Sequence, residues 1–329
     1  MADALIDGFG RRISYVRLSV TDRCDFRCRY CMSERMTFVP SDRLLSFDEV
    51  GALVDLLIER RVTKVRLTGG EPLVRRGIFK LIERLGSRLG AGLEELALTT
   101  NGSQLAGAAD RLFASGIRRV NVSLDSLDPE RFAYITRRGR LEPVLAGIAA
   151  AKAAGLRVKI NMVALRSINE DEVEPMMLWC AGEGYDLTLI ETMPLGDVEE
   201  DRSAHYLPLD EVRDAVGQCH TLVPSLERTG GPARYFDVAD LGLRLGFITP
   251  ISENFCTGCN RIRVTATGTA YGCLGRDQKV ELRDFLRSGD LQGAEAALDS
   301  LIAGKPRRHD FDLAATAPAV ERHMSVTGG

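Results

Sequence analysis

Short runs rich in β-branched residues alternate with helix-like patterns from residue 13 to about residue 194. Such runs, bounded by turn residues, predict strands, and apolar positions spaced three or four apart predict helices. The predicted strands span residues 13–20, 64–68, 95–99, 119–124, 156–162 and 186–193. The predicted helices span residues 46–60, 77–89, 103–115, 129–138, 142–154 and 169–182. This alternation predicts an α/β fold of parallel strands joined by right-handed crossovers.

Most of the predicted strands carry polar residues on one face and apolar residues on the other. A parallel sheet covered by helices on both faces would be apolar on both. A single-layer sheet facing solvent also fits, but helices on one side only are better explained by a curved sheet around a cavity. The positions on this face are Arg17, Ser19, Lys64, Arg66, Thr68, Asn121, Ser123, Asp125, Lys159, Asn161, Glu191 and Met193.

The six strand–helix units are two fewer than a closed eight-stranded barrel needs. We therefore predict a partial (β/α)6 TIM-type barrel over residues 13–194, in preference to a doubly wound sheet. After Pro194 the alternation stops, and residues 195–250 are mixed, with one predicted helix at residues 209–218. The predicted organisation is an N-terminal segment (1–12), the barrel (13–194) and a C-terminal extension (195–329).

Composition sets limits on location and partners. The chain has 329 residues, 27% of them charged, and a net charge of −3, so nothing global indicates a nucleic-acid or membrane surface. The N-terminus has no apolar signal-peptide core, and no apolar run approaches the roughly 20 residues of a membrane helix. These features predict a cytoplasmic protein, in which cysteines serve as ligands rather than in disulfides.

Six of the eight cysteines form two incomplete ligand sets. Cys24, Cys28 and Cys31 have C-x3-C-x2-C spacing in a predicted loop after the first strand, and Cys256, Cys259 and Cys273 have C-x2-C-x13-C spacing. Structural zinc needs four protein ligands, and a cubane held by three cysteines keeps one iron open. A zinc site completed from elsewhere, or thiols without metal, are the alternatives. None of the four histidines adjoins a triad in sequence, and Cys180 and Cys219 are predicted to be inert thiols.

Further candidate residues follow the ends of the predicted strands, where ligands bind in barrels of this type. Thr68-Gly69-Gly70-Glu71-Pro72 follows the second strand, and its glycines leave a bare backbone that could bind a ligand closely. Arg261 and Arg263 lie two residues apart and would point the same way in a strand. With Arg17, Arg66 and Lys159 they predict a small polyanionic substrate such as a nucleoside triphosphate, held by side chains because no Walker-type loop is present.

The motifs together resemble the GTP 3′,8-cyclase family (molybdenum cofactor biosynthesis protein A) of radical S-adenosylmethionine (SAM) enzymes. The resemblance runs from Ser14 to the last residue. Its most specific parts are the first triad, the run Cys256–Arg263 with Cys273, and the terminal Gly328-Gly329.

The resemblance implies a role for each motif. Cys24, Cys28 and Cys31 would hold a [4Fe–4S] cluster whose open iron binds the amino and carboxylate groups of SAM, while Cys256, Cys259 and Cys273 would hold an auxiliary [4Fe–4S] cluster facing the guanine. The implied SAM contacts are Tyr30, Gly70, Ser123 and Met193. The implied GTP contacts are Arg17, Arg66, Thr99, Lys159, Arg261, Ile262 and Arg263. The tail Gly328-Gly329 would reach into the active site and be needed for activity.

The resemblance also implies the reaction and its partners. SAM is cleaved to methionine and a 5′-deoxyadenosyl radical, which takes the hydrogen from C3′ of GTP, and the C3′ radical then attacks C8. The implied product is (8S)-3′,8-cyclo-7,8-dihydroguanosine 5′-triphosphate, formed in the first step of molybdenum cofactor biosynthesis. The implied partners are an electron donor such as flavodoxin or ferredoxin, cyclic pyranopterin monophosphate synthase as the next enzyme, and a second copy of the chain in a homodimer.

Two other function classes stay open on the residues alone. A radical SAM maturase or sulfur-inserting enzyme acting on a peptide or RNA also carries auxiliary clusters, but usually has further cysteines or an RNA-binding module. A zinc-stabilised scaffold without enzymatic activity would contain zinc in place of iron and sulfide.

Overall fold

Twelve strands form one sheet in the computed structural model, which describes residues 3–199, 202–227, 229–313, 315 and 317–328. The sheet order is β12-β11-β10-β1-β2-β3-β4-β5-β6-β9-β8-β7. The strands are β1 (Tyr15–Ser19), β2 (Lys64–Thr68), β3 (Glu95–Thr100), β4 (Arg119–Ser123), β5 (Arg157–Ala164), β6 (Asp186–Glu191), β7 (Leu222–Pro224), β8 (Arg234–Val238), β9 (Leu243–Ile248), β10 (Arg261–Val264), β11 (Thr269–Tyr271) and β12 (Lys279–Glu281).

Helices connect the first six strands and cover the outside of the sheet. The helices are α1 (Phe47–Glu59), α2 (Ile78–Gly86), α3 (Ala109–Ala114), α4 (Pro129–Thr136), α5 (Leu141–Ala153), α6 (Val173–Glu183), α7 (Leu209–Cys219), α8 (Arg283–Ser288), α9 (Leu291–Ala303) and α10 (Met324–Thr327). The predicted capping box is present at α1, where Ser46 and Glu49 each accept the other's backbone N–H.

The third helix is shorter than the sequence pattern predicts. It covers Ala109–Ala114 instead of residues 103–115. Its predicted first turns are replaced by tight turns in which the N–H groups of Leu105 and Ala108 donate to carbonyls three residues earlier. Asn101 also accepts the N–H of Ser103 with its side chain, which holds this segment in a turn.

The six predicted strands are adjacent and parallel, which confirms the α/β partial barrel. The C-terminal region adds a parallel strand at each side, because β9 pairs with β6 and β10 pairs with β1. The expectation of a mixed region over residues 195–250 missed β7, β8 and β9. These strands alternate apolar and polar residues only briefly. The pairing of β9 with β6, to which β8 and β7 are then added, depends on residues far away in sequence.

No hydrogen bonds close the described sheet into a complete barrel. Because β9 and β10 flank opposite sides of the parallel strands, residues 249–260 link the two sides of the opening. These residues include Cys256 and Cys259, so two of the three cysteines of the second set belong to the segment that crosses the gap, whereas Cys273 follows β11. Among the described helices, none has the length and apolar character needed to span a bilayer.

Candidate active site

One cavity lies on the inner face of the sheet and is lined by both cysteine triads. The polar positions that the strand pattern assigned to one face largely line it too. The predicted site residues in its wall are Arg17, Cys24, Cys28, Tyr30, Cys31, Arg66, Gly70, Thr99, Ser123, Lys159, Met193, Cys256, Cys259, Arg261, Arg263 and Cys273. Ile262 does not line it, because this residue is buried in the hydrophobic core on the other face of β10.

The first triad lies in the loop after β1, and its thiols are poorly placed to ionise unaided. Burial raises the pKa of Cys24 to about 12 and that of Cys31 to about 11, and raises the pKa of Cys28 well above its usual value. For Cys31 the charge of Arg202 acts against burial without cancelling it. Three buried soft sulfur donors fit a multi-iron centre, since bound iron would supply the positive charge that their thiolates need. The loop is secured by Arg27, whose guanidinium donates to the carbonyls of Cys24 and Phe26 (2.6 and 2.7 Å).

The two glycines after β2 bring this strand end against the cysteine loop. A Cβ on Gly69, whose φ is +143°, would lie 2.2 Å from the carbonyl oxygen of Thr21, and a Cβ on Gly70 would lie 2.4 Å from that of Arg23. Backbone N–H groups of Gly70 and Glu71 donate to the same two carbonyls (2.9 and 2.8 Å). The glycines therefore permit close backbone packing within the protein, in addition to the predicted exposure of Gly70 to the cavity.

Buried carboxylates fix the neighbouring strand ends around the loop. Glu71 accepts the hydroxyl of Thr100 and the N–H groups of Leu73 and Asn101 (2.9, 2.9 and 2.6 Å), and burial raises its pKa to about 7. Asp25, within the loop, accepts the side-chain amide of Asn101 at 2.7 Å. The end of β3 thus contacts both the β2 turn and the cysteine loop.

Tyr30 and Asp125 connect the loop to the other side of the cavity. The Tyr30 hydroxyl donates to Asp125 Oδ2 (2.7 Å), and Asp125 Oδ1 accepts the N–H of Val163 (2.8 Å). Burial raises the pKa of Asp125 to about 6, and burial beside Asp125 raises the pKa of Tyr30 well above its usual value. Ser123 and Met193, the other predicted SAM contacts on this side, line the cavity next to these groups.

Three guanidinium groups form a row across adjacent strands. Arg17 of β1 is in register with Arg66 of β2 on one side and with Arg263 of β10 on the other. Burial lowers the pKa of Arg263 well below its usual value, with a further contribution from Arg17 and Arg261. Such a row is electrostatically unfavourable without an anion, so its geometry matches the predicted polyanion site.

Unpaired polar atoms continue this surface along the inner face. The Nε atoms of Arg17 and Arg66 are buried without a hydrogen-bond partner among the described residues, and so are Thr99 Oγ1 and the side-chain oxygens of Asn121 and Asn161. Buried polar groups are nearly always hydrogen-bonded in native proteins. Their convergence on one cavity indicates that a polar ligand completes the site.

The end of the chain enters the same cavity region. Arg263 Nη1 donates to the carbonyl oxygen of Gly328, and a Cβ on Gly328 (φ +76°) would lie 2.0 Å from Thr68 Cγ2. The backbone of Ser325 lies beside Cys31, where it partly offsets the burial that raises the pKa of this thiol. The tail thus lies between the first triad and the arginine row, as far as Gly328; the prediction for Gly329 falls outside the described residues.

Comparisons with known proteins agree on the family. The Radical SAM superfamily model matches residues 18–180, and the Molybdenum Cofactor Synthesis C model matches residues 185–311. A protein of Erythrobacter litoralis named GTP 3′,8-cyclase is 56% identical over 330 residues, covering 100% of this chain and 99% of the relative. The chain belongs to the GTP 3′,8-cyclase family. A relative of the same name from Sinorhizobium medicae is 54% identical and covers 99% of this chain and 95% of its own.

Membership of the GTP 3′,8-cyclase family makes the chain a SAM-dependent radical enzyme, with SAM and an iron–sulfur cluster as cofactors. The fold agrees with a solved structure, that of Streptococcus suis SuiB bound to S-adenosylmethionine. The TM-score is 0.59 at 14% identity, covering 96% of this chain and 78% of SuiB. At this identity the similarity shows the radical SAM fold alone.

The second triad of this GTP 3′,8-cyclase family member combines Cys256 and Cys259 from the gap-crossing segment with Cys273 from the turn after β11. Although burial acts in the opposite direction, Arg261 and Lys305 lower the pKa of the Cys259 thiol to about 7. In the described ranges, no three His, Cys, Asp or Glu side chains lie close enough together to hold a single metal ion. A cubane does not require that grouping, because each cysteine binds a different iron.

Several residues of the site were missed by the sequence patterns. Tyr235, on the unpredicted strand β8, contacts Lys159 Nζ through its hydroxyl (2.5 Å). Lys305 contacts the second triad, and His309 lines the cavity beside it although it is far from the cysteines in sequence. One signal was available: the chain has six lysines, and Lys64, Lys159 and Lys305 are buried. Lysine is scarce in this arginine-rich chain, but the other three lysines, Lys80, Lys152 and Lys279, are exposed, so scarcity alone would not have separated the two groups.

Proposed function

We propose that this protein converts GTP to (8S)-3′,8-cyclo-7,8-dihydroguanosine 5′-triphosphate with SAM as the radical source, in the first step of molybdenum cofactor biosynthesis. The single observation that carries the proposal is the arrangement of the cavity. Two cysteine triads line it, and the arginine row of Arg17, Arg66 and Arg263 shares the same wall. A triphosphate bound to that row would hold its nucleoside within the cavity that both triads line.

The proposed cofactors are SAM and two [4Fe–4S] clusters, one on each triad. Cys24, Cys28 and Cys31 would hold the first cluster, which would supply the electron that cleaves SAM to methionine and the 5′-deoxyadenosyl radical. Loss of the C3′ hydrogen of GTP to that radical would allow C3′ to bond to C8, and one proton and one electron, the electron from the region of the second cluster, would complete the dihydro product. The proposed SAM contacts are Tyr30, Gly70, Ser123 and Met193.

The side chains contribute positioning and exclusion of water. Arg17, Arg66 and Lys159 would bind phosphate oxygens by charge-assisted hydrogen bonds, with Thr99, Arg261 and Arg263 completing the GTP contacts. Buried cations bind phosphate more strongly than exposed ones, because little solvent screens them. Fixing the triphosphate also restricts where the ribose can lie. This positioning favours a reaction between the ribose and a radical formed in the same cavity.

The direct test is turnover by the reconstituted protein. Protein reconstituted with iron and sulfide under anaerobic conditions is mixed with SAM, dithionite and GTP. The products are separated by chromatography and identified by mass spectrometry. We expect 5′-deoxyadenosine and a cyclised nucleotide with the mass of GTP. Failure with GTP combined with turnover of a peptide substrate would overturn the proposal, and zinc in place of iron and sulfide would exclude radical chemistry.

A matched pair of arginine variants tests the phosphate assignment. Arg66→Ala removes a buried guanidinium in the row, whereas Arg118→Ala removes an exposed guanidinium that bonds to nearby backbone carbonyls and lies over the Phe113 ring, outside the row. Loss of one charge-assisted contact, about 1.5–3 kcal/mol, should raise the KM for GTP by roughly ten- to a hundredfold in Arg66→Ala. SAM cleavage without GTP should be unchanged in both variants. Equal loss of both activities in Arg66→Ala would contradict the assignment.

The remaining parts of the proposal rest on the family resemblance. They are a cytoplasmic homodimer, electron supply by flavodoxin or ferredoxin, transfer of the product to cyclic pyranopterin monophosphate synthase, and the need for the Gly328-Gly329 tail. Assignment of the reaction to the lyases follows from the same chemistry, since a new ring forms without hydrolysis or net oxidation of GTP.

A further inference from the structure

Lys305 is a buried ammonium group at the second cysteine triad. It follows α9, is 3% exposed, and donates from Nζ to the carbonyl oxygens of Arg261 (3.1 Å) and Gly272 and to the sulfur of Cys259 (3.5 Å). Lys64 and Lys152 form ion pairs with glutamates, whereas none of the ion pairs among the described residues includes Lys305. Its buried charge is therefore opposed only by carbonyl dipoles and by cysteine sulfur.

The three contacts join the two separate parts of the triad. Arg261 lies two residues after Cys259, and Gly272 directly precedes Cys273, so one ammonium group ties the backbone segments that carry these two cysteines. Contacts of this kind around ligands fix their orientation in metal sites, and the residues that make them affect metal affinity and potential. The position of Lys305 is thus that of a group supporting the ligands.

The charge of Lys305 has a second consequence. A buried ammonium without a carboxylate is unfavourable unless a negative group lies nearby. A cubane with three thiolates carries one net negative charge when oxidised and two after one-electron reduction, so a cation beside Cys259 favours the reduced form more than the oxidised form. Hydrogen bonds to the ligand sulfurs act in the same direction.

We propose that Lys305 is a positioning residue for the auxiliary cluster, holding Cys259 and Cys273 together and making one-electron reduction of that cluster easier. The inference rests on the proposed function, because it requires a cluster on the second triad. It concerns how that cluster is held and tuned, and it is independent of the identity of the nucleotide.

The test measures the reduction of the auxiliary cluster alone. The full-length chain with Cys24, Cys28 and Cys31 changed to serine is reconstituted with iron and sulfide, so that only the second triad retains cysteine ligands. Lys305→Met and Lys305→Arg are introduced in this background, with Lys279→Met, at an exposed lysine on β12, as the matched control. The reduced fraction is read by electron paramagnetic resonance at a series of fixed potentials set by dithionite and mediators.

At a fixed potential, Lys305→Met should lower the ratio of reduced to oxidised cluster at least tenfold, equivalent to about 59 mV for a one-electron couple. Lys305→Arg, which keeps the charge, should recover most of that ratio, and Lys279→Met should match the parent. Equal ratios in all four proteins would overturn the proposed effect on reduction.

Iron analysis of the same samples separates the other outcomes. Loss of iron from Lys305→Met but not from Lys305→Arg supports the positioning role and its need for charge. Loss from both, with Lys279→Met normal, would mean that the lysine side chain only shapes the loop and would overturn the electrostatic part. Absence of iron and sulfide from the parent itself would refute the second cluster, which is a failure of the proposed function and not of Lys305.

Discussion

Replacing Gly70 by alanine should displace the loop that carries the first triad. The added Cβ would lie 2.4 Å from the carbonyl oxygen of Arg23 and 2.7 Å from that of Asp22, whereas real Cβ contacts are essentially never below 3.0 Å. Every one of these neighbours is backbone, so no side chain can rotate away. Relief requires the β2 turn and residues 22–23 to separate by several tenths of an ångström.

The magnitude follows from the bonds that this movement stretches. The N–H groups of Gly70 and Glu71 donate to the carbonyls of Thr21 and Arg23 at 2.9 and 2.8 Å, and separation weakens both bonds. Each backbone hydrogen bond contributes about 1 kcal/mol net, and overpacking generally costs about 1–3 kcal/mol. We therefore expect Gly70→Ala to lower the free energy of unfolding by about 2–3 kcal/mol, which a protein of ordinary stability survives while still folded.

Iron analysis and thermal unfolding check this reasoning together. After anaerobic reconstitution, Gly70→Ala should lose the iron of the first cluster, falling from about eight to about four iron atoms per chain if both proposed clusters form in the parent. The matched control is Gly107→Ala, because a Cβ at Gly107 would meet no atom within 4 Å. If Gly70→Ala keeps the iron content and the SAM cleavage of the parent, the cysteine loop does not depend on close backbone packing at Gly70, and the reasoning is refuted.

Three further predictions concern the cavity wall. Tyr30→Phe removes the 2.7 Å donor to Asp125 and should weaken SAM binding about five- to thirtyfold, measured by titration of reconstituted protein. Gly328→Ala places a Cβ 2.0 Å from Thr68 and should undock the tail, so that carboxypeptidase removes C-terminal residues faster than from the parent. Glu71 has a folded-state pKa of about 7, above its usual 4.5, so folding takes up a proton in this window and stability should fall as pH rises from about 4.5 to 7. In urea unfolding of apoprotein, Glu71→Gln should lack this part of the pH dependence.

The sheet was predicted well because the alternation of apolar and polar residues along a strand indicates which of its faces is buried against helices. Alternation in β1 and β2 placed Arg17 and Arg66 on the inner face, and the structure brings them into register. The same reasoning placed Arg261 and Arg263 on one side of a strand, which is confirmed in β10. Spacing alone singled out both triads as candidate ligands, and the structure places all six of these cysteines in the wall of one cavity.

Long-range pairing was the part that local patterns could not supply. The alternation in β10 contains no information that this strand lies beside β1, and the sequence separation between Lys305 and Cys259 is 46 residues. Gly69 and Gly70 show a second limit of sequence-based prediction. The two glycines predicted that some group packs closely against their backbone, but not that this group is the backbone of residues 21–23.

The contact between Arg263 and Gly328 is compatible with a phosphate role for the same arginine. A carbonyl oxygen is neutral, so it satisfies one N–H group of Arg263 without removing the positive charge that the arginine row presents. A guanidinium has five N–H donors, and the contacts with Thr327 and Gly328 both use Nη1. Docking of the tail thus orients Arg263 along the row with Arg17, and the positive charge of Arg263 still attracts an anion. It follows that loss of the tail should disorder one member of the row, whereas loss of Arg66 should leave the tail in place.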